Sequence, residues 1–114
     1  MLKSKLHRAR VTDADLHYEG SISIDEDLMD AAKLLSYEKV AIYDVSNGER
    51  FSTYVIQGKR GSGTICLNGA AARKVAKDDL IIIASYVLVD EELTRGWTPT
   101  CILLDGNNKI KHAG

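Results

Sequence analysis

Hydrophobic and polar residues alternate along much of this chain with the two-residue period that is typical of β-strands. This pattern predicts strands over residues 3–11, 39–45, 50–57 and 64–67. A nearly continuous apolar run at residues 79–89 predicts a further strand that is buried on both faces. The pair Asn47-Gly48 lies between two of these strands and indicates a tight hairpin turn.

Helical segments are few and short. Asp25 is the predicted N-cap of a helix whose apolar stripe consists of Leu28, Ala31, Ala32 and Leu35. Residues 69–75 have the propensity for one or two helical turns, and residues 100–104 and 109–112 are predicted to pair across a turn. Many short strands with few helices suggest a small closed barrel, although the pattern does not specify its topology.

Composition and charge narrow the classes of function. The chain has 114 residues and is predicted to form a single domain over residues 1–114. Fifteen basic and sixteen acidic residues give a formal net charge of −1, and no basic run is present, so we expect no nucleic-acid partner. No apolar stretch is long enough to span a bilayer as a helix, and the first residues lack the apolar core of a signal peptide. We expect a soluble cytoplasmic protein without a membrane partner.

The cysteines and histidines do not suggest a metal site. Cys66 and Cys101 are far apart in apolar surroundings, and we interpret them as small core residues. His7, His17 and His112 do not have a metal-ligand spacing, so we expect no metal. We interpret His7 and His17 as structural residues or as residues that surround a site without contacting the ligand.

The tripeptide Glu19-Gly20-Ser21 carries the most specific chemistry in the chain. Glycine can enter backbone geometries that other residues do not hold, and the following serine places a hydroxyl beside the Gly20 carbonyl carbon. Attack by that hydroxyl would turn the peptide bond into an ester, and elimination would then leave a ketone at the new N-terminus. On these residues alone, a simple Gly-Ser turn is the alternative interpretation.

Five segments in order along the chain resemble the bacterial aspartate 1-decarboxylases. These segments are KLHR (5–8), VTDADLHYEGS (11–21), NGERFSTY (47–54), NGAAAR (68–73) and DLIIIASY (79–86). The resemblance implies a six-stranded double-psi β-barrel that assembles as a homotetramer, with active sites between neighbouring subunits. It also implies cleavage between Gly20 and Ser21 into a β chain (1–20) and an α chain (21–114), with Ser21 converted to a pyruvoyl group.

The same resemblance implies the reaction. L-Aspartate would be held by the pyruvoyl group as a Schiff base and decarboxylated to β-alanine and CO2, which supplies pantothenate and coenzyme A biosynthesis. Tyr54 is implied as the catalytic proton donor beside Ser21, and Thr53 as the residue that assists cleavage. The implied substrate-binding residues are Lys5, Arg50, Thr53, Asn68, Gly69, Ala70 and Ala71.

Several of these roles have structural alternatives. Arg50 is the best candidate for a bidentate carboxylate clamp, but it is also a hairpin charge beside Glu49. Asn68 can donate its amide to an oxyanion or cap the helical turn that follows it. In a regular strand Arg50 and Tyr54 share one face and Thr53 the other, so a bulge, a twist or a different subunit contact would be needed to unite them.

Two other classes of function remain open at this point. The chain could be a non-catalytic β-barrel module that binds partners through its sheet edges. It could also be a serine hydrolase that uses Ser21, although no Gly-x-Ser-x-Gly elbow surrounds that residue. Sequence physics does not separate aspartate from glutamate as the substrate of a pocket with Arg50 and Lys5.

Overall fold

Nine β-strands form one hydrogen-bonded sheet. The computed structural model describes residues 1–114. The strands are β1 (Leu2–Arg10), β2 (Asp13–Asp15), β3 (Ser21–Asp25), β4 (Lys39–Asp44), β5 (Arg50–Gly58), β6 (Ile65–Asn68), β7 (Leu80–Tyr86), β8 (Thr100–Leu104) and β9 (Ile110–Ala113). One α-helix, α1 (Glu26–Ala32), and two 3₁₀ helices (Gly69–Arg73 and Glu91–Thr94) complete the fold. No helix combines the length and the apolar character that crossing a bilayer requires. The mainly β prediction is confirmed.

The path of the chain turns this sheet into a ring of six strands. The strand order is β2-β6-β3-β5-β4-β7-β1-β8-β9. Only Val11 and Thr12 separate β1 from β2, and these residues bind two different parts of the sheet. The Val11 N–H donates to the carbonyl of Asp79, just before β7 (2.9 Å), and the Thr12 N–H donates to the carbonyl of Ile65 in β6 (2.8 Å). Taken as one bent strand, β1–β2 therefore joins β7 to β6. The β8–β9 hairpin extends from the other edge of β1.

The core fills the inside of this ring. Leu6, Ile83 and Ile42 lie opposite one another across β1, β7 and β4, and each is at most 1% exposed. They belong to a cluster of 19 buried apolar residues, to which α1 contributes Leu28, Met29 and Ala32. Burying one such side chain contributes about 1.5–3 kcal/mol to stability. This inward row fixes which residues of the same strands face outward.

Two predicted boundaries were wrong. Leu35 was assigned to the apolar stripe of α1, but the helix ends at Ala32 because Lys33 adopts a left-handed conformation with φ +59°. Leu35 is consequently exposed. The strand predicted over residues 79–89 ends at Tyr86 and not at residue 89. Its antiparallel partner β1 begins at Leu2, so the last backbone pair joins Val87 to Met1 and Leu88 lies in solvent.

A buried carboxyl group supports the hairpin between β4 and β5. Asp44 is 3% exposed, and its Oδ1 accepts from the N–H groups of Ser46 (2.8 Å) and Asn47 (3.2 Å). Burial and the neighbouring Asp79 carboxyl raise the pKa of Asp44 to about 6. Folding therefore favours the protonated form of this side chain relative to the unfolded chain.

Stability should consequently change with pH through Asp44. Its ordinary pKa is 3.8, so its contribution is fully present below that pH and is lost as the pH rises through about 6. We expect the free energy of unfolding of Asp44→Asn, relative to that of the natural chain, to increase by about 2 kcal/mol as the pH is raised from 4 to 7. Urea unfolding measures this difference.

Asp105→Asn is the matched control for this prediction. The N–H groups of Lys109 and Asn107 lower the pKa of the Asp105 carboxyl, so its loss should shift the pH profile in the opposite sense. Parallel profiles for Asp44→Asn and the natural chain would contradict the assignment.

Candidate active site

Ser21 is the first residue of β3 and pairs with the last residue of β6, Asn68. Ser21 is 1% exposed, and its Oγ accepts a hydrogen bond from Asn68 Nδ2 at 2.9 Å. Asn68 makes no side-chain cap to the following 3₁₀ helix. The capping interpretation of Asn68 is therefore wrong, because its amide is directed at Ser21 instead.

Two residues that sequence reasoning did not select complete this network. Asn68 Nδ2 also donates to Ser23 Oγ at 3.1 Å, and Cys66 Sγ donates to Asn68 Oδ1 at 3.3 Å. The thiol is held protonated because burial raises the pKa of Cys66. Cys66 and Cys101 are only half-buried, so their assignment to the core was wrong. The two-residue spacing of Ser21 with Ser23 and of Cys66 with Asn68 was the signal available in the sequence.

The Ser21 hydroxyl has no histidine partner. Its Oγ donates to the carbonyl of Glu19 at 3.4 Å, which holds the hydroxyl close to the Gly20 peptide. His17 is exposed, and His7 makes no hydrogen bond to Ser21. Burial, Lys5 and Arg8 lower the pKa of His7. A serine hydrolase needs a base on its nucleophile, so this geometry disfavours that function.

Neither the φ nor the packing of Gly20 requires a glycine at this position. Its φ is not positive, and a Cβ added there would meet no atom within 4 Å. These two observations do not support a glycine-specific geometry at residue 20. Gly69 has that property instead, with φ +67°.

A surface depression of about 260 Å³ opens beside the Gly20–Ser21 bond. Its lining residues are Gly20, Phe51, Ser52, Thr53, Ala70, Ala71 and Lys74. A second depression, of about 440 Å³, is lined by Lys39, Ser52, Thr53 and Tyr54. The two depressions share Ser52 and Thr53. The first depression therefore brings together four predicted residues, namely Gly20, Thr53, Ala70 and Ala71, and the second contains Tyr54.

Strand β5 is regular where Arg50, Thr53 and Tyr54 lie. Its pairing with β4 runs without a register shift, and burial alternates from Arg50 to Val55. A bulge is therefore absent, and Thr53 faces away from Arg50 and Tyr54. Thr53 nevertheless lines the depression that contains Gly20 within the same chain.

Arg50 is free to bind a carboxylate. Its guanidinium stacks on the Tyr43 ring, 4.0 Å from the centroid, and no carboxylate of this chain forms an ion pair with it. The adjacent Glu49 is paired with another cation, since its carboxylate lies 3.2 Å from Lys74 Nζ. Tyr43 is itself fixed by a hydrogen bond between its hydroxyl and that of Tyr86 (2.7 Å). Stacking leaves the N–H edges of the guanidinium available for a ligand.

Tyr54 lies on the same outward face as Arg50 and close to Ser21. The parallel pair Ile22–Val55 joins β3 to β5, and one step back along both strands places Ser21 beside Tyr54. Tyr54 is 37% exposed, and its ring centroid lies 6.3 Å from that of Tyr37. Its side chain is thus partly accessible, on the strand that pairs with β3 beside the cleavage site.

Lys5 lies apart from these residues. It faces outward in a row of paired residues that crosses four strands, namely Lys5, Ala84, Ala41 and Ser52. Three strand spacings separate Lys5 from Ser52, which is about 14 Å. Within one chain, the structure therefore does not bring Lys5 to the depressions beside Gly20 and Tyr54.

Comparison with known proteins identifies relatives of this chain that share one name. A protein named aspartate 1-decarboxylase from Syntrophus aciditrophicus is 79% identical over 112 residues, which covers 98% of this chain and 97% of the relative. The aspartate 1-decarboxylase of Burkholderia cenocepacia is 58% identical and covers 97% of this chain and 88% of its own length.

The fold also has a counterpart among solved structures. The rationally designed protein mkDPBB_sym_86, a double-psi β-barrel, matches with a TM-score of 0.51 and 13% identity over 72% of this chain and 95% of its own. The double-psi barrel prediction is confirmed. Residues 1–111 match the family described as aspartate decarboxylase. The chain belongs to the aspartate decarboxylase family.

Proposed function

We propose that this protein decarboxylates L-aspartate at its α-carbon to give β-alanine and CO2, with a pyruvoyl group made from its own Ser21. The relatives' shared name gives the substrate. The observation that carries the mechanism is the buried Ser21 hydroxyl, which is hydrogen-bonded to Asn68 and lies beside the Gly20 peptide. In this proposal β-alanine supplies pantothenate synthesis in the cytoplasm.

Self-cleavage begins with attack of Ser21 Oγ on the Gly20 carbonyl carbon. The new C–O bond forms as the C–N bond between residues 20 and 21 breaks, and the hydroxyl proton ends on the released amine. Negative charge develops on the Gly20 oxygen during this step, so a nearby hydroxyl donor lowers the barrier. Thr53, which lines the depression with Gly20, is the donor that we assign to this role.

Elimination then separates the two chains. The Ser21 Cα loses a proton to solvent, the Cβ–Oγ bond breaks, and the Gly20 carboxylate leaves as the C-terminus of residues 1–20. Water adds to the resulting enamine and ammonia departs, which leaves a ketone on the chain of residues 21–114. Asn68 Nδ2 donates to Ser21 Oγ, the oxygen that departs with the Gly20 carboxylate, so this donor stabilises the leaving group of the elimination.

The pyruvoyl ketone supplies an electron sink for the pair released when CO2 leaves the substrate. The residues of this chain bind and orient the amino acid. Arg50, held flat on Tyr43 without a carboxylate partner, receives a substrate carboxylate in bidentate fashion. Asn68 and the backbone of Gly69, Ala70 and Ala71 contribute neutral donors. Tyr54 delivers a proton from its hydroxyl to the former α-carbon.

A homotetramer completes the site in this proposal. Lys5 lies about 14 Å from Ser52 in its own chain, so we assign its role to the site of a neighbouring subunit. Exposed aromatic side chains surround the site on the outward face, namely Tyr37, Tyr54 and Tyr86. Burial of such aromatic surface between subunits is a common source of association energy.

Intact mass spectrometry of the purified protein tests this function. We expect two chains, residues 1–20 and residues 21–114 with a ketone at the N-terminus, together with β-alanine production from aspartate. A single continuous chain after prolonged warming, with no β-alanine, would identify a non-catalytic barrel instead. A higher kcat/KM for glutamate than for aspartate would overturn the substrate assignment alone.

A further inference from the structure

We propose that Gly69 is a positioning residue for the self-cleavage described above, because its lack of a side chain lets it hold the Gly20 backbone in place. A Cβ at residue 69 would lie 2.8 Å from both the Cα and the N of Gly20. It would also lie 3.0 Å from the carbonyl oxygen of Tyr18. All three atoms belong to the backbone before the cleaved bond, so no flexible side chain can move aside.

The constraint on the cleaved segment is therefore imposed from the junction of β6 with the 3₁₀ helix Gly69–Arg73. Gly20 has open space at its own Cβ position, so packing does not require a glycine there. Gly69 is buried and directly follows Asn68, which binds Ser21 Oγ at 2.9 Å. The dipeptide Asn68-Gly69 thus holds the segment on both sides of the bond that breaks. Asn68 fixes the oxygen that attacks, and Gly69 fixes the residue that is attacked.

Substitution at residue 69 should displace this geometry. The added methyl group must push either Gly20 away from Ser21 or the 3₁₀ helix Gly69–Arg73 away from the barrel. Attack on a carbonyl carbon depends on the alignment of the reacting atoms, and a displacement of about 1 Å can slow such a step about 100-fold. We therefore expect Gly69→Ala to slow cleavage by at least about 100-fold.

Gly69→Ala has a second effect besides the contact with Gly20, namely backbone strain at residue 69. Gly69 has φ +67°, a region that alanine disfavours irrespective of its neighbours. Gly96 offers a matched control, because it has φ +71° and a Cβ there would meet no atom within 4 Å. Gly96→Ala consequently carries the same backbone cost without any contact to the cleaved segment.

The experiment compares the natural chain, Gly69→Ala and Gly96→Ala. The cleaved fraction is followed by intact mass during incubation at one temperature, and folding is followed by circular dichroism and thermal unfolding. We expect Gly96→Ala to cleave close to the natural rate. Gly69→Ala should stay largely uncleaved although its thermal midpoint lies within about 5 °C of that of Gly96→Ala.

Gly69→Asn provides a second test of the same contact. Asparagine tolerates a positive φ better than alanine but still places a Cβ against Gly20. It should therefore block cleavage in the same way. If both variants at residue 69 cleave like Gly96→Ala, the inference is wrong. It is also overturned if both lose the fold while Gly96→Ala keeps it, because the contact would then serve the barrel as a whole. An uncleaved natural chain would instead reject the proposed function.

Discussion

Ser21→Ala should remain one continuous chain and produce no β-alanine. The variant lacks the oxygen that attacks the Gly20 carbonyl carbon, so neither the ester nor the ketone can form. We expect β-alanine formation to fall by at least about 1000-fold. The fold should persist, since the substitution removes only the hydrogen bonds that join Ser21 Oγ to Asn68 and to the Glu19 carbonyl. Intact mass after prolonged warming and product analysis provide the measurement.

Ser23→Ala is the control for this prediction. Ser23 Oγ accepts from the same Asn68 amide, at 3.1 Å, and lies two residues further along β3 on the same face. Loss of this hydroxyl disturbs the hydrogen-bond network but leaves the attacking oxygen in place, so the variant should still be cleaved. Cleavage of Ser21→Ala between residues 20 and 21 would contradict the proposed chemistry.

Arg50→Ala should impair substrate binding while leaving self-cleavage intact. The guanidinium stacks on Tyr43 and faces away from Thr53, which lines the Gly20 depression. Loss of a bidentate, charge-assisted contact to a carboxylate should raise KM for aspartate about 100-fold. Steady-state kinetics, normalised to the cleaved fraction from intact mass, measures this effect.

Two further variants separate charge from geometry at this position. Arg50→Lys keeps the positive charge but loses the planar fork, so its KM should lie between those of Arg50→Ala and the natural chain. Lys59→Ala removes an exposed cation that follows the opposite end of β5 from Arg50, and it should leave KM unchanged. A failure of Arg50→Ala to be cleaved would mean that Arg50 acts in maturation, which would contradict its assigned role.

Much of the fold could be predicted because local signals agreed with it. Alternating apolar residues marked the strands that enclose the core, and Asn47-Gly48 marked the hairpin, where Gly48 has φ +80°. The N-cap Asp25 was also confirmed, since its side chain accepts from the Asp27 N–H at 2.8 Å. These features depend on contacts between residues that are close in sequence.

The sequence pattern could not predict features that depend on contacts between residues far apart in the sequence. The join of β1 to β6 through Thr12 and Ile65 spans 53 residues. Likewise, the close approach of Gly69 to Gly20 depends on the register of β6 against β3. Because a glycine's own sequence neighbours do not reveal what packs against it, the pattern drew attention to Gly20 and passed over Gly69. The motif resemblance selected Gly69 without giving the reason for its small size.

The bent strand β1–β2 has a consequence for the protein after cleavage. It contributes Leu6, Ala9 and Val11, each fully inaccessible to solvent, yet it lies entirely within residues 1–20. Under the proposed reaction, the short polypeptide becomes a subunit in its own right, retained by backbone pairing, apolar contacts and side-chain interactions such as the ion pair between Lys3 and Glu38, without a covalent link. Denaturation of the processed protein would then release two species, and its reversal would depend on protein concentration. The precursor would therefore fold in a unimolecular reaction, whereas the processed protein would refold only by association of two polypeptides.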